Sequence, residues 1–460
     1  MENPSSRNIL LDALTHGSEN RGSKKVVRSV SEDFAVAPVN LAKHLKVLTE
    51  EIGVRLAGSP AEETAVEYIE GEFEKLGART SIERFPIMAR DVSNQMLDVH
   101  CKDGWRKFAC SLFAGAPGTA GNMLEAPLTF FEAPAERERG DLSDLRGKAV
   151  VHLGSHFESR EVYKRIMEAK PAFLLCVDIR YPGDRPLADG LFPAYIKALG
   201  AVPTINVAYL DAWEWRTKGA DRARLRVSGG MRPGQSSNVI ATLPGESSIG
   251  DVLVVGAHHD TQADSVGADD NGSGVAGLLE LARVLAELPR ERAIRFISFG
   301  AEEQLSVGSA TYVRTHRHEL ESDACFMFNL DSFGSRMGWN ELLYDGAKEW
   351  GNFLRHHFET RGVFAKFTAD ISPYVDAFPF QAIGIPAATL MRENCTSGRF
   401  FHHRPDDDMT RVDPDIMARL LRPAASLLYT AATSSSLPFE HRLPPELSAE
   451  AVKWWKELFE

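Results

Sequence analysis

Three apolar runs in the second half of the chain constrain the fold more tightly than any other feature, because each one stops on acids or histidines. DVLVVGA (251–257) reads as a buried strand and runs directly into His258-His259-Asp260. A helical stretch at about 273–288 follows, with Val275, Leu278, Leu279, Ala282 and Leu285 on one face. AIRFISFG (293–300) then ends at Ala301-Glu302-Glu303. Strand, helix and strand in this order make a β-α-β unit, the signature of a mostly parallel sheet. The third run, ACFMFNL (324–330), ends at Asp331. Parallel open sheets form their sites at the carboxyl ends of the strands, so these polar termini are expected at one edge.

The chemistry of that edge follows from the residue types. With a period of two, His258 and Asp260 point to the same side. GADDNGSG adds Asp269 and Asp270, and FFHHRPDDD adds His402, His403 and Asp406 to Asp408. A single His or Asp at a strand end is ordinarily a turn or cap residue. Three successive strands ending this way differ, because acids gathered at one edge repel one another unless cations sit among them. Imidazole and carboxylate without thiolate suit zinc, cobalt or manganese. More than four such groups suggest two ions sharing a bridging carboxylate.

The rest of the chain supplies the frame. Residues 1–36 are polar and expected to be flexible. NLAKHLKVLTEEIG and AEETAVEYIEGEFEKLG read as helices, the second starting at Ser59-Pro60 and stopping at Gly77, and RTSIERFPI reads as a strand. Between about 118 and 232 come short β-like runs (KAVVHLG, AFLLCVDI, VPTINVAYL, ARLRVSG) among Gly/Pro-rich turns, and Gly229, Gly230, Pro233 and Gly234 punctuate the return. The expected fold is α/β, a mostly parallel mixed sheet sandwiched by helices. Its catalytic domain is split into 37–117 and 233–460 by an inserted β-rich domain at 118–232. Val452, Trp455 and Phe459 give the tail an amphipathic helix that docks on its own domain or meets a second copy.

Composition limits the partners. The chain has 52 Lys+Arg against 64 Asp+Glu, a formal charge of −12, which argues against nucleic acid or an anionic membrane surface as the main partner. No apolar window is long enough to span a bilayer, and the N-terminal text has no signal-peptide core, so the expected compartment is the cytoplasm. Five cysteines without a CxxC pair fit neither a disulfide framework nor a zinc knuckle.

Taken together, HxD (His258, Asp260), GADDNGSG, Glu302-Glu303, NLD (Asp331) and the late H-x-P-x-D with V-D-P (His403, Pro405, Asp407, Val412-Asp413-Pro414) resemble the co-catalytic di-zinc metallopeptidase family of bacterial leucyl aminopeptidases and glutamate carboxypeptidases. RLAGSP and SNVIATLPG also match its text, and LRGKAVVHLG with VPTINVAYLDA resembles the protease-associated domain of many members. The resemblance implies two zinc ions. His258 and Asp331 would bind one, Glu303 and His403 the other, and Asp270 would bridge them. It also implies Glu302 as general base and Asp260 as the carboxylate orienting His258. HxD selects His258 over His259, and the spacing to V-D-P selects His403, although His402 with Asp406 fits a looser template. Asp269 is expected to be a helix-start or surface acid.

The substrate is expected to be a short peptide or small amide cut by metal-activated water. An aminopeptidase or dipeptidase is the simplest case, with a carboxypeptidase-like enzyme or small-molecule amidohydrolase as the alternative. A receptor-like relative without catalysis and a single-zinc cyclase are remoter readings. Arg392, Arg399 and Arg404 lie close in sequence to His403 and would suit an anionic substrate end. Tyr374, in a segment that lines the site in relatives, would help hold a tetrahedral intermediate, and Asp376 would brace the same loop.

Overall fold

The β-α-β reading at 251–300 is the centre of the structure. The computed structural model describes residues 34–460 apart from 137, 155, 156, 158, 181, 182, 247–249 and 394–400, and leaves out the Pro134 side chain. The flexible segment expected at 1–36 lies outside the described residues as far as 33. The described strands are β1 (Arg79–Cys101), β2 (Gly104–Phe108), β3 (Ser111–Leu112), β4 (Leu124–Glu132), β5 (Ala149–Leu153), β6 (Phe173–Val177), β7 (Thr204–Asn206), β8 (Arg222–Leu243), β9 (Val252–His258), β10 (Ala293–Phe299), β11 (Ala324–Leu330), β12 (Trp339–Tyr344), β13 (Lys366–Ala369) and β14 (Ala387–Glu393).

They form one sheet in the order β13-β12-β14-β11-β9-β10-β8-β4-β5-β6-β7-β3, with β1 paired to β8 and β2. The centre is parallel: β9 pairs with β10 on one side and β11 on the other, and β11 pairs with β14. Every residue of β9 and β11 is buried, as expected of parallel strands covered by helices on both faces. The helix Gly274–Ala286 makes the crossover and buries nearly all its side chains. The parallel register pairs Phe299 with His258, so β9 and β10 deliver their terminal polar groups to the same level.

The glycine cluster at 229–234 is not a loop. β8 runs unbroken from Arg222 to Leu243, across the expected boundary at 232, and pairs antiparallel with β1 from Arg79 to His100. Its register shifts opposite Val92 and Asn94, and Gly229 and Gly230 have φ of +98° and +157°. An extra residue in one strand with glycine at positive φ bends the ribbon without ending it. Beyond the bend, β4 to β7 are parallel, and the helices Arg160–Ala169, Pro193–Leu199 and Tyr209–Thr217 follow β5, β6 and β7 in turn. This stretch is therefore mixed α/β where a β-rich one was expected. Its core gathers Leu97, Phe131, Tyr163, Tyr195, Trp215 and Leu225.

The tail helix forms at Pro445–Leu458 and packs on its own chain. Ala451 joins Ile371, Phe378 and Ala382. Glu457 accepts the amide of Arg160 at 2.9 Å and the Tyr195 hydroxyl at 3.1 Å. The described cysteines, Cys101, Cys110, Cys176 and Cys325, are free thiols, and Cys395 lies outside the described residues. Among the described residues no helix is long and apolar enough to cross a membrane.

Candidate active site

At the carboxyl edge of the central strands the expected groups converge on Asp270. His258 Nε2 lies 3.2 Å from Asp270 Oδ1 and 3.6 Å from Asp331 Oδ1. On the other side of Asp270, His403 Nε2 lies 3.3 Å from Asp270 Oδ2 and 2.9 Å from Glu303 Oε2. His402 Nδ1 is 2.8 Å from the same Asp270 oxygen, and its ring stacks on His403 with centroids 3.5 Å apart. Both imidazoles thus reach the central carboxylate, and His403 also reaches Glu303. Two groups of three, His258/Asp270/Asp331 and Asp270/His402/His403, each have ligand atoms close enough to share one ion. His259 faces away, with Nδ1 3.0 Å from Ser298 Oγ and Nε2 3.7 Å from Glu62, because adjacent residues of a strand point to opposite faces.

Glu302 and Glu303 sit side by side because the chain leaves β10 through a sharp turn. Ala301 has φ +53°, a 3₁₀ turn spans Glu302–Gln304, and Leu305 and Ser306 are also left-handed. Such backbone persists only where neighbours hold it. Here Asp260 does, its carboxylate accepting the amides of Glu302 at 2.9 Å and Glu303 at 3.3 Å. One Asp260 oxygen lies 3.6 Å from His258 Nδ1. Glu302 Oε2 is 3.8 Å from His258 Nε2, and its Oε1 accepts the Ser306 hydroxyl at 3.1 Å.

Supports that the sequence reading left without roles complete the frame. The Asp407 carboxylate accepts the amides of Asp269 and Asp270 at 2.9 and 3.0 Å. Asp269 Oδ1 in turn accepts the Gly334 amide at 2.7 Å, so Asp269 is a buried brace, not a surface acid. Asn271 bonds the Leu330 carbonyl and the amides of Gly274 and Ser332, tying the turn after β9 to the end of β11. Arg55, within RLAGSP, is fully buried and donates to the carbonyls of Leu48, Gly53, His259, Val266 and Gly267. The only sequence signal for these roles was membership of the quoted motifs.

The electrostatics match a cation site. Burial pushes Glu302 well above the usual carboxylate range and Glu303 up to about 7. Burial opposes charge on Asp270 as well, yet His258, His402 and His403 hold it well below its ordinary value. Burial likewise opposes charge on His258, but Glu302, Asp260, Asp270 and Asp331 raise it. The imidazoles are the positive charge compensating these acids, a task two divalent ions would fulfil. Glu303 Oε1 and His403 Nδ1 are buried without a hydrogen-bond partner. The donor set therefore fits metal.

A cleft of about 410 Å³ opens over these groups. It is lined by Tyr374 and by Asp189, Leu191 and Phe192, residues of the 118–232 stretch. The Phe192 and Tyr374 rings lie 6.3 Å apart. Asp376, fully buried, accepts the Ser309 hydroxyl and braces its loop. The arginine expectation needs correction. Arg392 borders the cleft, but its guanidinium is spent on the Ser335 and Gly338 carbonyls and Asn340 Oδ1. Arg404 turns to Asp184 and Asp406, and Arg399 lies outside the described residues. Closeness in sequence to His403 did not determine the direction of these side chains.

Residues 238–428 match the model of Peptidase family M28. Aminopeptidase YwaD of Bacillus subtilis (strain 168) is 26% identical over 412 residues, covering 86% of each chain. Carboxypeptidase Q of Rattus norvegicus is 25% identical over 421 residues, covering 84% of this chain and 86% of its own. Among solved structures, a zinc aminopeptidase from Bacillus subtilis superposes with a TM-score of 0.73 at 22% identity, covering 89% of this chain and all of that one.

Proposed function

We propose that this chain, whose residues 238–428 match the model of Peptidase family M28, is a two-metal exopeptidase, most simply a zinc aminopeptidase or dipeptidase. One observation carries the reading: two sets of imidazole and carboxylate groups meet on the single carboxylate of Asp270. His258 and Asp331 would hold one ion, His403 and Glu303 the other, and Asp270 both. Zinc suits such ligands, and both a zinc aminopeptidase and a probable zinc metalloprotease are among the similar proteins.

Bound there, two divalent ions supply Lewis acidity to the attacking water and the scissile carbonyl. The remaining work falls to the chain. Glu302 takes the water's proton and returns it to the leaving amine; its raised affinity for a proton, caused first by burial, suits that exchange. Asp260 fixes the turn that carries Glu302 and orients His258. Tyr374 stands at the cleft wall, where its hydroxyl would donate to the oxyanion of a tetrahedral intermediate. The stretch 118–232, read as a protease-associated-like insertion, adds Asp189, Leu191 and Phe192 to the cleft lining.

An aminopeptidase is favoured over a carboxypeptidase because Arg392 and Arg404 are engaged elsewhere, and Arg180, which also lines the cleft, is paired with Asp178. The test measures metal content and hydrolysis by the zinc-loaded chain of leucine p-nitroanilide, dipeptides and N-acyl amino acids. Release from the first two is expected. Activity confined to N-acyl amino acids would move the reading to an amidohydrolase, and fewer than two ions per chain would overturn the two-metal site.

A further inference from the structure

His403 has a left-handed backbone, φ +55°, a conformation that a residue with a β-carbon keeps only when its surroundings impose it. The imposing groups come from residues 183–188, more than two hundred positions earlier in the chain. The Ala188 amide donates to the His403 carbonyl at 3.0 Å. Next in sequence, Arg404 is 3% exposed, and its Nη2 lies 3.3 Å from Asp184 Oδ1 and 3.2 Å from Asp406 Oδ2. Arg185 approaches Asp406 at 3.9 Å. Arg404 crosses so close over Gly183 that a β-carbon there would lie 2.4 Å from Nη1. The segment is itself anchored, because the Gly183 carbonyl accepts the Leu210 amide at 3.1 Å from the first turn of the helix Tyr209–Thr217.

We infer that residues 183–188 are a positioning strap for His403. By pinning the His403 carbonyl and the Arg404 guanidinium, the strap fixes the imidazole between Asp270 and Glu303, and so sets the affinity of one of the two metal positions. The inference rests on the two-metal reading. Gly183, Asp184 and Arg404 are positioning residues and touch neither metal nor substrate. Side chains that orient a ligand commonly govern metal affinity to this degree. The strap belongs to the 118–232 stretch, so that stretch would complete the metal centre as well as wall the cleft. The neighbouring position, which His258 at the end of β9 and Asp331 just after β11 would hold, has no contact with the strap among the described contacts and is expected to be independent of it.

The experiment strips the full chain of metal with a chelator and titrates it with cobalt(II), following visible absorption for each equivalent. The wild type is expected to take up two. Gly183→Val forces Arg404 aside; Arg404→Lys keeps the charge but loses the planar fork that spans two carboxylates. Each variant, with its fold checked by circular dichroism and thermal unfolding, is expected to bind the first equivalent normally and the second about tenfold or more weakly. If Gly183→Val does not fold, Arg404→Lys alone decides. The strap is overturned when a folded variant binds both equivalents as the wild type does, or when both weaken equally. If the wild type itself takes up fewer than two, the two-metal reading fails, and that failure is distinct because it precedes any substitution.

Discussion

Glu302 and Glu303 are adjacent in sequence yet serve different neighbours: Glu302 lies toward His258 and Ser306, Glu303 toward His403. Replacing Glu302 by Gln keeps the shape and removes the base. Turnover is expected to fall by about 10²–10⁴-fold with metal content per chain unchanged; loss of metal would return Glu302 to the ligand set. A second grouping of ligand types, Asp251, Cys325 and His441, lies away from the cleft. There Arg292 Nε is 2.9 Å from Asp251 Oδ2, and burial pushes the Cys325 thiol up to about 12. A guanidinium already occupies the cation's place, so Cys325→Ser is expected to leave the metal count at two by elemental analysis. At this scale the HxD motif of the resemblance singled out His258, and strand alternation explains why His259 turns instead to Ser298 and Glu62. The sequence misdirected Arg392 and Arg404 because their partners, Ser335, Gly338 and Asp184, are set by tertiary packing.

The long β1–β8 ribbon shows what element patterns conceal. Gly229, Gly230 and Pro233 read as a break, yet the strand bends there and continues. A β-carbon on Gly229 would lie 2.0 Å from the Asp91 carbonyl oxygen, whereas one on Gly121, also at positive φ, meets nothing within 4 Å. Gly229→Ala is therefore expected to destabilise by about 2 kcal/mol or more and Gly121→Ala by about 1 kcal/mol, both read by denaturant unfolding. Equal costs would remove the bulge from the argument. The helices Arg160–Ala169, Pro193–Leu199 and Tyr209–Thr217 escaped the reading of 118–232 because each is short and stabilised by packing against its neighbours more than by its own propensity.

Across the whole molecule, two buried histidines outside the cleft lining, His44 and His357, are expected to weaken the fold in mild acid. His44 Nδ1 lies 2.7 Å from the Tyr68 hydroxyl and His357 Nδ1 3.0 Å from Ser426 Oγ. Burial lowers them from 6.5 to about 4 and about 3 respectively, with Glu72 partly opposing the shift at His44. Both are neutral in the fold. Their contribution to stability is complete above 6.5 and is lost as pH falls through 6.5 toward those values, about 2 kcal/mol each between pH 7 and pH 5. The His44→Gln/His357→Gln double variant should show a flatter stability–pH curve by urea unfolding; an unchanged slope would mean that other groups dominate.

The sequence alone determined the parallel centre and the edge where the acids and imidazoles gather. Each follows from periodicity and covalent order, which act over a few residues. Only the tertiary structure decided that Asp407 braces Asp269 and Asp270, that Arg55 ties five carbonyls together, and that residues 183–188 hold the His403 turn. Apart from the Leu48 and Gly53 carbonyls, these contacts join segments more than a hundred positions apart. Their partners are selected by how the sheet brings chain segments together, and no local pattern records that.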